Sequence, residues 1–408
     1  MAADYPMSMS VLWLARTIPL PLTSGDRIYT AGLVQALGGA GADVKFLGLA
    51  NPDEPMGDAS VLSDRVTWVQ VPGEPNTRVR SVLSTLPLVS ARFATAPYRK
   101  ALTEELEKRP PDVIVLDHYA MAWALPTVRR LSERPIIIHI AHNVETEVTR
   151  DIARDFRGDP ARRAFLTWNA AKTARAEAAL VRASDGFVTL TEYDSLTLAK
   201  HRPGIARLVS PPGYAQPKRA ERVFSAQSPR EVLILGSYHW IAKRMNLEHF
   251  LREASGVFEK AGIICRVAGS IPDDLRERCE AEYPSVVFEG YVEDVQETLD
   301  RARFGLVVET TGGGFKLKML DYIFQRVPLA GIDDALRGLP DSVMAHVVSA
   351  PDAAKLAHAV ADRIDDIEGL QEMQAQAFDA ALDAFEWKTN GASLRDFVSA
   401  LREKRDAA

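Results

Sequence analysis

The stretch FGLVVETTGGGFKLKMLDYIFQRVPLAGI, residues 304–332, changes its hydrophobic pattern twice. Residues 304–309 and 327–332 are short apolar runs, which are typical of buried β-strands. Between them, residues 316–325 carry apolar side chains at helical spacing, and consecutive glycines come directly before them. The order strand, glycine turn, helix, strand predicts a β-α-β unit of a parallel sheet.

The same alternation extends in both directions along the chain. Strands are predicted in a first series at 10–15, 44–50, 66–71, 113–117, 135–140 and 186–191, and in a second series at 231–237, 263–270, 286–291, 304–309, 327–332 and 345–350. Helices are predicted at 25–40, 97–109, 121–132, 160–183, 246–260, 273–282, 293–301, 316–325 and 352–368. This pattern predicts an α/β protein of two doubly wound Rossmann-like domains, which we expect to face each other across a cleft.

The boundary between the domains is expected in SPPGYAQPKRAERVFSAQSPR, residues 210–230, which is rich in proline and has no strand pattern. We predict an N-terminal Rossmann-like domain at 1–212 and a C-terminal one at 213–385. Residues 386–408 are expected to form a C-terminal helix that packs back toward the first domain. Within this last stretch, Asn390-Gly391 predicts a helix break.

The composition indicates whether nucleic acid, a metal ion or a membrane is an expected partner of this chain. A formal net charge of -6 over 408 residues argues against a nucleic-acid partner, because nucleic-acid binders usually carry a basic surplus. Cys265 and Cys279 fit neither a disulfide framework nor a paired metal-ligand spacing, so no metal site is expected. No apolar run reaches the roughly 18 residues of a membrane span, and residues 1–10 lack the pattern of a signal peptide. We therefore expect a cytoplasmic protein.

The glycine turn carries the clearest chemical signal. Gly312, Gly313 and Gly314 let the backbone adopt positive φ and let a ligand lie against the amide groups. Lys316 and Lys318 are unfavourable near a helix N-terminus unless an anion offsets their charge. Asp321 lies roughly 7 to 8 Å further along the helix axis, a distance that suits ribose hydroxyls when phosphates lie at the helix start. This interpretation predicts a clamp for a nucleoside diphosphate.

A simpler interpretation stays open. The glycines would then form a tight turn, and Lys318 and Asp321 would form a surface pair that contributes a few tenths of a kcal/mol.

The segment GGGFKLKMLDYIFQRVPLAG, residues 312–331, resembles the nucleotide-sugar signature of the family-four retaining glycosyltransferases, which have the GT-B fold. The likeness continues, in the expected order, through PLTSGDRIYTAGLVQAL (21–37), IAHNVETEV (140–148), VTLTEYDSLTL (188–198) and EVLILGSYHWIAKRMNLEHFL (231–251). It implies transfer of a sugar, with retention and without a metal or other cofactor, from a UDP- or GDP-linked donor to a saccharide or lipid-linked acceptor. A role in bacterial surface polysaccharide or glycoconjugate assembly is the corresponding expectation.

The resemblance also assigns roles to residues, with the first domain as the acceptor side and the second as the nucleotide-sugar side. The implied catalytic residues are His142, Lys316 and Lys318. Donor-binding residues are Gly312, Gly313, Gly314, Phe315, Asp321, Lys243, Arg244 and Glu309. Acceptor-side or sugar-side residues are Gly25, Asp26, Arg27, Asn143, Glu145 and Glu192.

Simpler roles are open at several of these positions. His142 could hydrogen-bond a neighbouring loop, and Lys243 with Arg244 could mark a solvated helix start. Thr191, Glu192 and Asp194 could form a helix cap with acidic residues in the first turn. His139 is expected to be a core residue.

The sequence departs from the family pattern at one carboxylate. Members often carry two glutamates separated by seven residues, and here those positions are Gly313 and Asp321. Glu309 is a candidate substitute for the first. Two other functions therefore stay open: a catalytically silent GT-B protein that binds nucleotide or stabilises a partner, and a nucleotide-sugar epimerase of the same fold.

Residues 78–100 have a basic and apolar character. No acid lies between Glu74 and Glu104, whereas five bases do: Arg78, Arg80, Arg92, Arg99 and Lys100. Such a stretch predicts contact with an anionic membrane at its inner face, or with a lipid-diphosphate acceptor. A solvated loop is the alternative.

Overall fold

A computed structural model describes residues 9–50, 62–292 and 295–407. Two predictions fall partly outside these ranges, the missing signal-peptide pattern at residues 1–10 and the start of the helix at 293–301. The chain divides into two compact units, Met1–Gly213 with Glu386–Ala408, and Tyr214–Phe385.

Strands and helices alternate along both units. The described strands are β1 Ser10–Thr17, β2 Asp43–Leu49, β3 Val66–Val71, β4 Val113–Asp117, β5 Ile136–Ala141, β6 Gly186–Thr189, β7 Ala206–Val209, β8 Glu231–Leu235, β9 Ile264–Ala268, β10 Val286–Gly290, β11 Ala302–Val307, β12 Leu329–Ile332 and β13 Val348–Ala350. The described α-helices are α1 Gly25–Gly39, α2 Arg78–Val82, α3 Leu88–Phe93, α4 Ala96–Lys108, α5 Leu125–Val128, α6 Glu145–Asp155, α7 Pro160–Ala183, α8 Glu192–Ala199, α9 Ile241–Lys260, α10 Asp273–Glu282, α11 Val295–Arg301, α12 Lys318–Phe324, α13 Asp341–Met344, α14 Ala353–Ala361, α15 Ile367–Ala381 and α16 Trp387–Asp406.

Each unit contains one parallel sheet. The first has the strand order β3-β2-β1-β4-β5-β6-β7, and the second has the order β10-β9-β8-β11-β12-β13. All strand pairs are parallel, and the central strands β4, β5 and β11 are buried along their whole length. The prediction of two doubly wound α/β domains is confirmed. In each sheet the chain reverses its winding direction next to the first strand, between β1 and β4 and between β8 and β11, where ligands of such folds bind.

The C-terminal helix corrects one prediction. The predicted break at Asn390-Gly391 is wrong, because α16 continues through both residues. The Asn390 side chain donates a hydrogen bond to the backbone oxygen of Pro211 at 2.6 Å. A Cβ on Gly391 would come within 2.2 Å of the backbone oxygen of Ala36 in α1. Gly391 therefore permits two helices to approach closely, and the chain leaves helical structure earlier, between α15 and α16.

The helix predicted at 121–132 is also wrong in form. A 3-10 helix covers Tyr119–Ala124, and the short α5 follows it with Pro126 in its first turn. Proline lacks the backbone N–H that a continuous α-helix would require, so an α-helix can begin at this point but cannot pass through it.

Among the described helices, none is both long and apolar enough to cross a membrane.

Candidate active site

The glycine turn follows the carboxyl end of β11, beside the point where the second sheet reverses its winding. Gly312 has φ 106° and Gly314 has φ 71°, conformations that other residues adopt only with strain. The helix begins at Lys318 rather than at the predicted residue 316, so Lys316 belongs to the turn.

Two side chains tie this turn together. The Lys316 ammonium donates to the backbone oxygens of Gly312, of Gly313 at 2.7 Å and of Gly314 at 3.1 Å. Asn246 of α9 donates to the backbone oxygen of Thr311 at 2.6 Å and accepts from its N–H at 2.9 Å. The turn is consequently held from both sides, with its carbonyl groups gathered around an ammonium group.

Glu309 interacts with several of the positive groups near the glycine turn. Its side chain is buried and forms an ion pair with Lys318. Burial opposes ionisation, but Lys318, Lys316 and Lys243 together hold the pKa of Glu309 below its ordinary value. Three lysines thus act on one buried carboxylate beside the glycine turn.

The remaining residues predicted to bind the donor have different surroundings. Arg244 donates to the backbone oxygen of Tyr238 at 3.0 Å and pairs with Asp274 at 2.8 Å, which joins the start of α9 to α10. Phe315 is buried, and its ring centroid lies 5.6 Å from that of Phe385. Arg244 therefore has a structural role at the start of α9, and Phe315 packs in the apolar interior of the unit.

Asp321 lies one helical turn beyond Lys318 in α12. Burial raises the pKa of Asp321 to about 6, although the Lys318 charge and a hydrogen bond with Tyr214 oppose this rise. A carboxyl group with this pKa changes its charge near neutral pH, and a ligand with hydroxyl groups would favour its ionised form.

In the first unit, a small open cavity lies at the equivalent place, beyond the carboxyl ends of β1 and β4. Its charged and titratable lining residues are Arg16, Asp26, Arg27, Asp117, His118 and His142. Asp26 pairs with Arg16, and this contact holds the pKa of Asp26 well below its ordinary value although burial opposes ionisation. Gly25 is the first residue of α1, so this helix start borders the cavity.

His142 and His118 are each held by a carboxylate. The Nε2 atom of His142 lies 2.6 Å from Oδ1 of Asp117, and Nε2 of His118 lies 3.3 Å from Oε1 of Glu145. The two imidazole rings are 5.7 Å apart. His142 therefore does two things. It hydrogen-bonds a neighbouring segment, which is the simpler role, and it lines the cavity. His118 also has φ 75°, an uncommon backbone conformation that occurs often at functional sites.

The loop between β5 and α6 is anchored from α7. Asn143 donates to Oε1 of Glu145 at 2.9 Å. The carboxylate of Glu177, in α7, accepts from the backbone N–H groups of Glu145 at 2.6 Å and Thr146 at 3.2 Å. Glu177 thus satisfies the first amide groups of α6, a role that helix capping side chains usually perform from within the same helix.

Glu192 lies apart from these groups. Its side chain is 60% exposed and lies 3.5 Å from Arg207. Thr191 caps α8 by accepting from the N–H of Asp194 at 3.1 Å, as the helix-cap alternative predicts. His139 is the buried core residue that the sequence predicts, with Nδ1 3.0 Å from the backbone oxygen of Leu116.

Four residues at these places were not predicted from the sequence: Arg16, Asp117, His118 and Glu177. Three of them had a usable signal, because Arg16 lies near the end of a predicted strand and Asp117-His118 ends another, at the sheet edge where ligands bind. Glu177 had none, since it lies in the middle of a long helical pattern. No group of three or more histidine, cysteine, aspartate or glutamate side chains suited to a metal ion occurs in the described ranges.

Two family models match the chain. The Glycosyl transferase 4-like domain matches residues 24–213, and Glycosyl transferases group 1 matches residues 229–366. A sequence search of curated proteins finds no significant match.

Several solved structures are similar over nearly the whole chain. Sucrose-phosphate synthase from Thermosynechococcus elongatus has a TM-score of 0.69 at 17% identity, covering 98% of this chain and 100% of that chain. Trehalose 6-phosphate synthase from Burkholderia multivorans has a TM-score of 0.66 at 12% identity, with 98% and 100% covered. HepE from Anabaena has a TM-score of 0.64 at 12% identity, with 96% and 99% covered.

At these identities the structural likeness establishes the fold, and the two family models, each on one compact unit, establish the class of protein. The chain belongs to the glycosyltransferases that join a glycosyl transferase 4-like domain to a glycosyl transferases group 1 domain in the GT-B fold.

Proposed function

We propose that the protein is a retaining glycosyltransferase that moves a sugar from a UDP- or GDP-sugar to a hydroxyl group of a saccharide or lipid-linked acceptor. We place this reaction in bacterial surface polysaccharide or glycoconjugate assembly. The observation that carries the proposal is the charge around Glu309, where Lys243, Lys316 and Lys318 act on a single buried carboxylate beside the glycine turn. A group of ammonium side chains beside a glycine turn suits a diphosphate.

The reaction creates negative charge on the departing diphosphate, so groups that bind it more strongly as the bond breaks accelerate transfer. Lys316 is held by three backbone oxygens of its own turn. We propose that a bound diphosphate replaces these carbonyl contacts, while Glu309 keeps Lys318 in place. Because ammonium groups supply this positive charge, we propose that transfer requires no metal ion.

The nucleotide proposal draws on two similar structures. HepE from Anabaena is described in complex with UDP and glucose, and a mutant of TarM from S. aureus in complex with UDP and saccharide ligands. These proteins are 12% and 9% identical to this chain, so they support UDP as the first donor nucleotide to test without assigning it.

A panel of donors tests the function. The purified protein would be incubated with UDP- and GDP-sugars and saccharide acceptors, with and without EDTA. Nucleotide release, product formation and the anomeric configuration of the product would then be measured. We expect a product with the donor's configuration and no loss of rate with EDTA. An inverted product would refute retention, and loss of transfer that added Mg²⁺ restores would refute metal independence.

Alanine substitutions test the donor site. Lys316→Ala and Lys318→Ala are expected to weaken UDP or GDP binding in calorimetry. Lys355→Ala is the matched control, because Lys355 lies in the same unit and its side chain is 68% exposed in a surface pair with Asp352. Unchanged nucleotide affinity in the first two variants would refute the diphosphate clamp.

One observation favours a second candidate function. Gly313 occupies the position where family members often carry the first glutamate, and the possible substitute Glu309 is already paired with Lys318. A catalytically silent protein that binds nucleotide would show thermal stabilisation by UDP or GDP without turnover of any donor in the panel.

We also propose that residues 78–100 bring the protein to the cytoplasmic face of an anionic membrane. This stretch forms α2, α3 and the start of α4, and Val79 and Leu83 are 75% and 85% exposed beside the exposed Arg78 and Arg80. Exposed apolar side chains flanked by arginines favour anionic lipid surfaces.

Vesicle sedimentation tests the membrane proposal. We expect binding to phosphatidylglycerol vesicles that falls with salt and is absent with phosphatidylcholine alone. The variant V79S/L83S should lose it, whereas V223S, which removes an exposed valine in the other unit, should not. Equal sedimentation of all variants would contradict this surface.

A further inference from the structure

A buried hydrogen-bond network lies behind His142. Asp117 is 1% exposed and accepts three hydrogen bonds. Trp13 Nε1 and Thr30 Oγ1 lie 2.9 and 2.8 Å from its Oδ2, and His142 Nε2 lies 2.6 Å from its Oδ1. The ring of Tyr29 lies edge-on to that of His142 with the centroids 5.4 Å apart, which restricts the plane of the imidazole.

This network decides which ring nitrogen of His142 carries the proton. Burial opposes ionisation of Asp117, but the neighbouring His142 and the hydrogen bonds from Trp13 and Thr30 hold the pKa of Asp117 below its ordinary value, so the group is a carboxylate. A carboxylate only accepts hydrogen bonds, so Nε2 of His142 must donate. In the neutral ring, Nδ1 is then the acceptor.

We propose that Asp117 is a positioning residue that fixes His142 in the Nε2–H tautomer and so presents Nδ1 as the acceptor for a substrate hydroxyl. This inference rests on the proposed function and on the catalytic role that the family resemblance implies for His142. His142 lines the cavity together with Thr30 and Arg27, so the network joins the buried sheet edge to the ligand side.

The variant Asp117→Asn has a specific consequence. Asparagine offers one acceptor oxygen and one NH₂ donor. The Trp13 N–H can only donate, so it takes the oxygen and leaves the NH₂ group facing His142 Nε2. His142 must then accept at Nε2 and carry its proton on Nδ1, which converts the proposed acceptor into a donor.

The experiment records the tautomer of His142 by ¹⁵N NMR and the steady-state kinetics of the full chain. We expect the Nε2–H form in the wild type and the Nδ1–H form in Asp117→Asn. We expect kcat to fall about 10- to 100-fold, the range seen when a metal-bound histidine loses the partner that orients it. Thr30→Val is the matched control, because it removes one donor from the same carboxylate and should keep the Nε2–H form.

A double variant separates the tautomer from general damage to the fold. In Asp117→Asn with Trp13→Phe, the obligatory donor is gone, and the asparagine oxygen can accept from His142 Nε2–H while its NH₂ donates to Thr30. We expect the Nε2–H form and most of the lost kcat to return, with circular dichroism and Tm as folding checks.

Several results would overturn the inference. They are an Nδ1–H ring in the wild type, an Nε2–H ring in Asp117→Asn, or a changed tautomer with unchanged kcat. Failure of this inference can be told apart from failure of the proposed function. If the wild type transfers no sugar from any donor, the proposed function fails, but the NMR experiment still shows which tautomer His142 adopts.

Discussion

Glu177 offers a quantitative test of how the first unit anchors the loop that carries Asn143 and Glu145. The substitution Glu177→Gln keeps the shape of the side chain but removes its charge. Glu177 is 1% exposed, and burial raises its pKa from 4.5 to about 7, although backbone N–H groups of α6 favour the ionised form. Ionising this group in the folded protein therefore costs free energy.

The size of this effect on the free energy of unfolding follows from the pKa of Glu177 in the unfolded state and in the folded state. Between pH 4.5 and about 7, the folded state holds a proton on Glu177 that the unfolded state has released, so the free energy of unfolding falls as the pH rises. Since one pH unit corresponds to ~1.4 kcal/mol, the full loss is ~3 kcal/mol, and it is complete above pH 7. Glutamine does not titrate, so the variant lacks this loss.

Urea unfolding of both proteins from pH 4 to pH 8.5 measures the effect, with hydrogen exchange of α6 peptides assigning the transition to this unit. From pH 4 to pH 8, we expect the free energy of unfolding of Glu177→Gln to rise by ~3 kcal/mol relative to that of the wild type. The variant also has a loss of stability that does not depend on pH, because glutamine lacks the second acceptor oxygen. Glu133→Gln, which makes the same substitution at an exposed position, is the matched control. Parallel pH curves for wild type and Glu177→Gln would refute the reasoning.

The remaining predictions concern helix contacts and the ion pair beside the glycine turn. Gly391→Ala should lower Tm although alanine favours helices by ~1 kcal/mol, because its Cβ would lie 2.2 Å from the Ala36 oxygen. Gly256→Ala in α9, where a Cβ meets nothing within 4 Å, should raise Tm in the same scan. Lys318→Met should destabilise the second unit by about 3–5 kcal/mol at pH 7, because it removes the ammonium group that forms the ion pair with the buried Glu309 carboxylate. In urea unfolding this loss should shrink as the pH falls through the pKa of Glu309 in the folded wild type, which lies below its ordinary value. Lys318→Met with Glu309→Gln should recover part of the loss at pH 7.

The elements that the sequence predicts well are those with complete local patterns. VIVLD predicts a strand at 113–117, which is β4, and the helical pattern at 160–183 is α7 without any change of bounds. β7 was not predicted, because Ala206–Val209 is a four-residue strand at the end of the sheet and most of its side chains are only half-buried. Such a strand lacks the continuous apolar run that reveals buried parallel strands.

The candidate site separates what a local pattern can predict from what it cannot. The glycine turn is local: the backbone conformations of Gly312 and Gly314, and the lysine that binds the turn carbonyls, lie within a few residues of one another. The acidic partners are not local, because Asp117 meets His142 from the neighbouring strand and Glu177 reaches the start of α6 from α7.

The order of the strands in the sheet predicts some of these contacts between residues that are distant in the sequence. In a doubly wound sheet, the first strand and the strand beyond the reversal lie side by side, so the residues that end them must share one edge. Once β1 and β4 are recognised as this pair, Arg16 and Asp117-His118 become candidates without any coordinates. The register then determines the rest: Asp117 pairs with Ile140 in β5, so His142, two residues further along the same strand direction, comes within reach of its carboxylate. The sequence can therefore nominate both members of this pair, whereas their contact and the tautomer that it sets require the packing of Trp13 and Thr30 behind them.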